Sequence, residues 1–170
     1  MAKIIRKDKM LAGYNGNLES VIVHDTAGSP VETSNGVFVK VEGLMEGQRE
    51  VKKATLATEE DVLAGENIYL IHNSEVMYDE RLANLEDFVI KAGKVARAYR
   101  LYDGDVITLT VPLFTAEPSV DSVVIPKTDG LLGAPTAETT GAKLVFEVIE
   151  DSGNELHHTE KAYAVEVKQK

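Results

Sequence analysis

Asp103-Gly104-Asp105 sets carboxylates on either side of a glycine, the beginning of an oxygen cage for a hard cation such as calcium. A calcium loop needs further oxygen ligands at regular spacing, and the stretch lacks them, so it reads as a turn. His157-His158 resembles a metal-binding pair, but adjacent side chains in extended backbone point to opposite sides, and no nearby His or carboxylate pattern completes a tetrahedral site. His24 and His72 each end an apolar run with no Ser or Cys motif around them, and both read as structural. Nucleophile elbows and phosphate-binding loops are absent from the sequence. The residues therefore predict no catalytic group, no metal site and no cofactor.

Residues suited to holding another protein are easier to find. The phrase Lys91-Ala92-Gly93-Lys94-Val95-Ala96-Arg97-Ala98-Tyr99-Arg100-Leu101-Tyr102 interleaves cations with tyrosine in an otherwise acidic chain. Arg and Tyr anchor many protein interfaces, which makes Arg97, Tyr99 and Arg100 interface candidates. Cross-strand pairing with neighbouring Asp and Glu explains the same pattern, and the two readings stand together. At the start of the chain Lys3, Arg6, Lys7 and Lys9 face one carboxylate, Asp8, and surround Ile4 and Ile5. A basic arm with apolar residues to bury would dock on an acidic neighbour; an ordinary disordered terminus is the competing reading.

The elements that carry these residues announce themselves by period. Val37, Val39 and Val41 share one strand face while Lys40 and Glu42 take the other. Leu144, Phe146 and Val148 repeat the alternation against Lys143 and Glu147, and residues 163–168 repeat it again. Weaker strand patterns cover residues 18–24, 49–57, 67–72 and 122–125. Asp103-Gly104 suits a type I′ turn, which predicts a hairpin of residues 96–102 with 106–111. Helix is expected only in short pieces. Residues 58–64 have a capping Thr58, an acidic first turn and Gly65 as a stop, and residues 79–88 place Leu82, Leu85 and Val89 at helical spacing behind Asp79. Residues 126–141 read as a long surface loop. A likeness between residues 33–41 and 139–148 is explained as well by a turn followed by a strand as by duplication. The expectation is a mainly β chain, an antiparallel sandwich or barrel-like domain over residues 18–170, with residues 1–17 as an N-terminal arm.

Bulk properties narrow the partners. A chain of 170 residues supports one well-buried domain. A formal charge of −10 and a pI near 4.9 argue against nucleic acid, which requires a dominant basic face. No cysteine is present, so disulfides and thiolate metal sites are excluded. No run has the length and apolarity of a signal peptide or a bilayer span, which predicts a protein made in its host's cytoplasm with no membrane partner.

Residues 35–44 (Asn35-Gly36-Val37-Phe38-Val39-Lys40-Val41-Glu42-Gly43-Leu44), Glu75-Val76-Met77-Tyr78-Asp79-Glu80 and the stretch from Phe88 through Leu101 to Gly104-Asp105 together resemble a family of small structural proteins of tailed bacteriophages. Its members accompany the major capsid protein and are taken to be head decoration, or cement, proteins. The likeness spans roughly residues 35–110. It implies a non-enzymatic protein on the outer surface of the virion head, bound to the major capsid protein and to neighbouring copies of itself. Under that reading Lys3, Ile4, Ile5, Arg6, Lys7 and Lys9 form the capsid-binding arm. A tail-tube or head-fibre subunit shares the same style of sequence. A carbohydrate-binding β-sandwich is a further alternative, disfavoured by the absence of Trp.

Overall fold

The structure, a computed structural model, describes residues 3–9, 18–75, 88–136, 138–151 and 159–169. These residues are mainly β, as the periodicity predicts. Strands are numbered along the chain. Strands β2 (Leu18–His24), β3 (Phe38–Leu44), β4 (Val51–Leu56), β5 (Ile68–Ile71) and β6 (Ala96–Tyr99) close on one another in the order β2-β4-β3-β5-β6. Each strand has a neighbour on both sides, so this barrel exposes no ladder edge. Its interior is filled by side chains, many of them small: Ala54, Ala96 and Ala98 are fully buried with Val21, Val39 and Ile71. One pairing departs from the antiparallel expectation, because β2 and β4 run parallel from Ser20↔Val51 to His24↔Thr55.

The remaining strands form an open sheet in the order β1 (Ile5–Lys9), β7 (Val106–Thr110), β11 (Ala162–Gln169), β10 (Val145–Glu150), β8 (Val123–Pro126) and β9 (Leu132–Gly133). Ile107, Leu109, Val165, Phe146 and Val148 of this sheet join Phe38, Leu70 and Ile71 of the barrel in one continuous core. At about 25 cal/mol per Å² of apolar area removed from water, that core is the main source of stability in a chain with no disulfide to help it.

The single α-helix of the described residues, α1 (Glu59–Leu63), has the features read from its sequence. The Thr58 side chain accepts from the Asp61 amide, the Asp61 carboxylate accepts from the Thr58 amide, and Gly65 leaves the helix with φ +73°. The helix predicted over residues 79–88 falls almost wholly outside the described residues, as does His157-His158.

Three expectations are corrected. Residues 96–102 and 106–111 do not form a hairpin: β6 pairs with β2 and β5, whereas β7 pairs with β1 and β11. The turn itself exists, closed by Asp105 N–H to the Tyr102 carbonyl at 2.9 Å. Gly104 has φ +83° but Asp103 lacks the positive φ that type I′ demands, and such a turn splays its flanking strands, here into different sheets.

The N-terminal segment is not a free arm. Ile5, Arg6 and Lys7 lie opposite Leu109, Thr108 and Ile107 in the sheet, and Ile4 and Ile5 are each 6% exposed. The two isoleucines are spent on this chain's own core and are not held ready for a partner. Residues 10–17 lie outside the described residues.

The predicted loop over residues 126–141 contains structure. Lys127 donates its amide to Leu131, and Leu132 is fully buried in β9. Gly130 sits against the barrel, donating its amide to the Ala57 carbonyl at 3.1 Å. With φ +68° and the Phe38 carbonyl oxygen where a Cβ would stand, only glycine fits there.

Candidate interaction surface

Four pieces of chain meet at a seam between barrel and sheet: the end of α1, strand β5, the β6–β7 connection and the approach to β10. They enclose a cleft of about 540 Å³ lined by Tyr69, Tyr102, Arg100 and Lys143, with Glu66 and Asp103 beside them. The tyrosines are half-buried and the charged side chains exposed, over a floor that includes buried Ile68 and Leu144.

Each side chain owes its place to local structure. The Arg100 guanidinium lies 5.7 Å from the centroid of the Tyr102 ring, a cation–π contact that orients both groups. Tyr102 is fixed at its backbone, where its amide donates to Asp105 Oδ2 at 2.8 Å. This assigns the buried Asp105 carboxylate to holding a turn, as expected. The stem of Lys143 passes over Gly65, whose missing Cβ would stand 3.1 Å from the lysine Cε. Among the described residues neither Arg100 nor Lys143 makes an ion pair, whereas Lys40, Lys52, Lys127, Lys161 and Lys168 each reach a carboxylate.

The helix beside the cleft is anchored to the barrel by Lys40, which donates to Asp61 Oδ1 at 2.6 Å. That hydrogen bond raises the Lys40 pKa against the opposing cost of burial. Burial pushes Asp61 upward, but the hydrogen bonds from Lys40 and from the Thr58 hydroxyl and amide outweigh it, and the carboxyl titrates below its ordinary value. Glu59 is also held low, first by the Thr136 amide donating at 2.6 Å.

The residues singled out in the sequence part company here. Arg100 is in the cleft. Arg97 is exposed on β6, flanking a shallower recess with Asn73 and Val95. Tyr99 is only 9% exposed and meets His72 edge-on, with ring centroids 6.2 Å apart, so it belongs to the barrel wall and not to a surface patch. Lys3 lines a separate groove with Val89 and Leu131. His24 is buried, its Nδ1 2.8 Å from the Ile22 carbonyl. Tyr69 and Lys143 were missed by sequence reading, since each sits in a strand-like pattern whose outward face carries no local sign of convergence. Among the described residues no group of His, Cys, Asp or Glu converges as a metal site, and no helix is long and apolar enough to cross a membrane.

A mixed rim of two cations and two carboxylates around two tyrosines offers orientation to a partner of mixed charge more than affinity for a single ion. Tyrosine and arginine are among the side chains that contribute most when an interface closes over them. No protein-family model, curated protein or solved structure matches this chain.

Proposed function

We propose that this chain is a non-enzymatic structural protein of a tailed-phage virion, a decoration protein that docks on the outer surface of the head and stabilises the shell. The observation that carries the reading is the Arg100–Tyr102 stack in the seam cleft, with Tyr69 and Lys143 facing the same space. It joins the resemblance of residues 35–110 to such proteins. A core continuous through both layers gives a rigid body, and a charge of −10 keeps many copies apart in solution. Repetition over a symmetric lattice turns modest individual contacts into a collective restraint.

The test is co-sedimentation of the purified protein with undecorated heads. Wild-type protein is expected to bind stoichiometrically, and Arg100→Ala with Tyr102→Ala to bind at least tenfold more weakly, about 1.4 kcal/mol or more, while melting at nearly the same temperature. Rings or fibres of purified protein, with no binding to heads, would favour a tail-tube or head-fibre subunit. The half-buried tyrosines of the cleft also favour a saccharide-binding reading, which predicts saturable heat on titration with oligosaccharides.

A further inference from the structure

Asn35-Gly36 is a pair that reacts without an enzyme in an open chain, because glycine leaves its backbone nitrogen without steric cover beside the asparagine amide. In the fold the pair forms the turn before β3, with Gly36 at φ +84°, and each atom the reaction uses is held. Asn35 is 1% exposed. Its Oδ1 accepts from the Asn73 amide at 2.8 Å, and its Nδ2 donates to the Asn73 carbonyl at 3.0 Å and to Glu75 Oε1 at 3.2 Å. The Gly36 amide donates to the Ile71 carbonyl at 2.9 Å. Asn73 completes the clasp on its other side, where its Oδ1 accepts from the Arg97 amide at 2.7 Å and its Nδ2 donates to the Val95 carbonyl at 3.3 Å. Two asparagine side chains thus tie the segment after β5 to the start of β3 and to β6, continuing the order of the barrel where its backbone ladders end.

We infer that Asn35 is a site of spontaneous deamidation, closed in the folded barrel and reached only when this clasp opens, and that the reaction prevents the clasp from re-forming. In the opened segment the Gly36 nitrogen gives its proton to solvent and attacks Asn35 Cγ. The Cγ–Nδ2 bond breaks, Nδ2 leaves as ammonia, and the cyclic imide that remains takes up water to give aspartate or its isomer, in which the chain runs through the side-chain carbon. Water is consumed, ammonia is released, and nothing is oxidised or reduced. In the closed clasp the Gly36 N–H is committed to Ile71, the leaving nitrogen has two acceptors, and burial keeps bulk water away. The product cannot return to this place. A carboxylate at position 35 has no proton for the Asn73 carbonyl and faces the Glu75 carboxylate, so two attractions become repulsions at a site nearly closed to water. The isomer also lengthens the backbone and takes Gly36 out of register with Ile71. Opening of the barrel end is therefore recorded covalently, and a molecule that has reacted stays loosened there.

The experiment incubates full-length protein at neutral pH and follows Asn35 by peptide mapping with mass spectrometry, which separates it from Asn15, the residue before Gly16. A synthetic peptide of residues 31–39 supplies the open-chain rate. Asn35 in the folded protein is expected to react at least about a hundredfold more slowly than in the peptide, since only the opened fraction reacts. Asn73→Ala cuts the clasp without touching the reacting pair and should raise the rate in the protein about tenfold or more. Urea below the unfolding midpoint should act in the same direction. Asn35→Asp, which carries the product carboxylate, should melt below wild type, and Asn35→Asp/Glu75→Gln should recover part of the loss. If these variants do not fold, reacted wild-type protein is separated from unreacted by ion exchange, and amide exchange at Gly36 and Asn73 is expected to be faster in the reacted fraction. Reaction of Asn35 at the peptide's rate in folded protein, a rate unmoved by both Asn73→Ala and urea, or reacted molecules with unchanged amide exchange would overturn the inference.

Discussion

Phe38 of β3 and Phe146 of β10 meet edge to face, with ring centroids 5.3 Å apart and planes inclined at 63°. One ring comes from the barrel and the other from the open sheet, and neither is exposed. Their contact is where the two layers are riveted. Phe146→Ala is expected to destabilise the fold by about 3–5 kcal/mol, the usual result of emptying a buried aromatic site. The pair itself should couple by about 0.5–1.5 kcal/mol beyond area burial. Urea unfolding of Phe38→Leu, Phe146→Leu and the double variant measures that coupling, and strictly additive losses would show that the rings do not interact.

Gly130 makes a sharper geometric demand. Gly104 and Gly130 both have positive φ, but a Cβ at Gly104 meets nothing within 4 Å, whereas at Gly130 it overlaps the Phe38 carbonyl. Gly104→Ala should cost about 1–2 kcal/mol from backbone conformation alone. Gly130→Ala should cost clearly more, because backbone cannot move aside as a side chain does. Equal melting temperatures for the two variants would contradict the close approach.

Burial of Ile4 and Ile5 predicts that the N-terminal segment contributes to stability. Ile5→Ala is expected to cost about 2–5 kcal/mol, as for other buried large-to-small changes. Deleting residues 1–9 should lower the melting temperature further, through the lost β1–β7 ladder. Thermal unfolding that is unchanged by the deletion would restore the free-arm picture.

The ion pair that fastens α1 to the barrel sets a pH dependence. Asp61 and Glu59 titrate below their ordinary values, so the stability they contribute is present above the ordinary carboxylate pKa and lost as pH falls through the depressed folded values. Lys40 is shifted the other way: its contribution is complete below the ordinary lysine value and disappears as pH rises through the raised one. Asp61→Asn should flatten the acid limb of a stability–pH curve and remove the alkaline loss tied to Lys40. Chemical denaturation at intervals of pH provides the check, and parallel curves for wild type and variant would refute the assignment.

The strands most legible in the sequence are those whose residue types alternate. Residues 18–24 match β2, and the valine alternation around residues 37–41 marks β3, although Phe38 on its other face is also fully buried, against the open sheet. β1 was hidden because Ile4 and Ile5 are adjacent and both buried, which breaks the alternation, and because its partner is far along the chain, with Ile4 bonded to Thr110. β9 was hidden by its brevity and by the turn-forming composition around it. The pairing of strands was least legible of all. Asp103-Gly104 has the composition of a hairpin turn, yet the inward faces of β6 and β7 belong to different layers, and burial overrode the local signal. In the seam cleft, Arg100 was visible from its setting among tyrosines, whereas Lys143 arrives from another layer and only the fold brings it there.

Strand β11 stands between β7 and β10 in the middle of the open sheet, although it is the last of the described strands along the chain. During synthesis the barrel strands, complete by Tyr99, can close while later residues are still being made. The sheet cannot. Until residues 162–169 emerge, β1 and β7 on one side and β10, β8 and β9 on the other are halves without a centre. Assembly of the sheet is thus gated in time: its two halves join only when residues 162–169 take their place between β7 and β10, and the outward face of the barrel, Phe38 included, stays uncovered until Phe146 and its neighbours are in position.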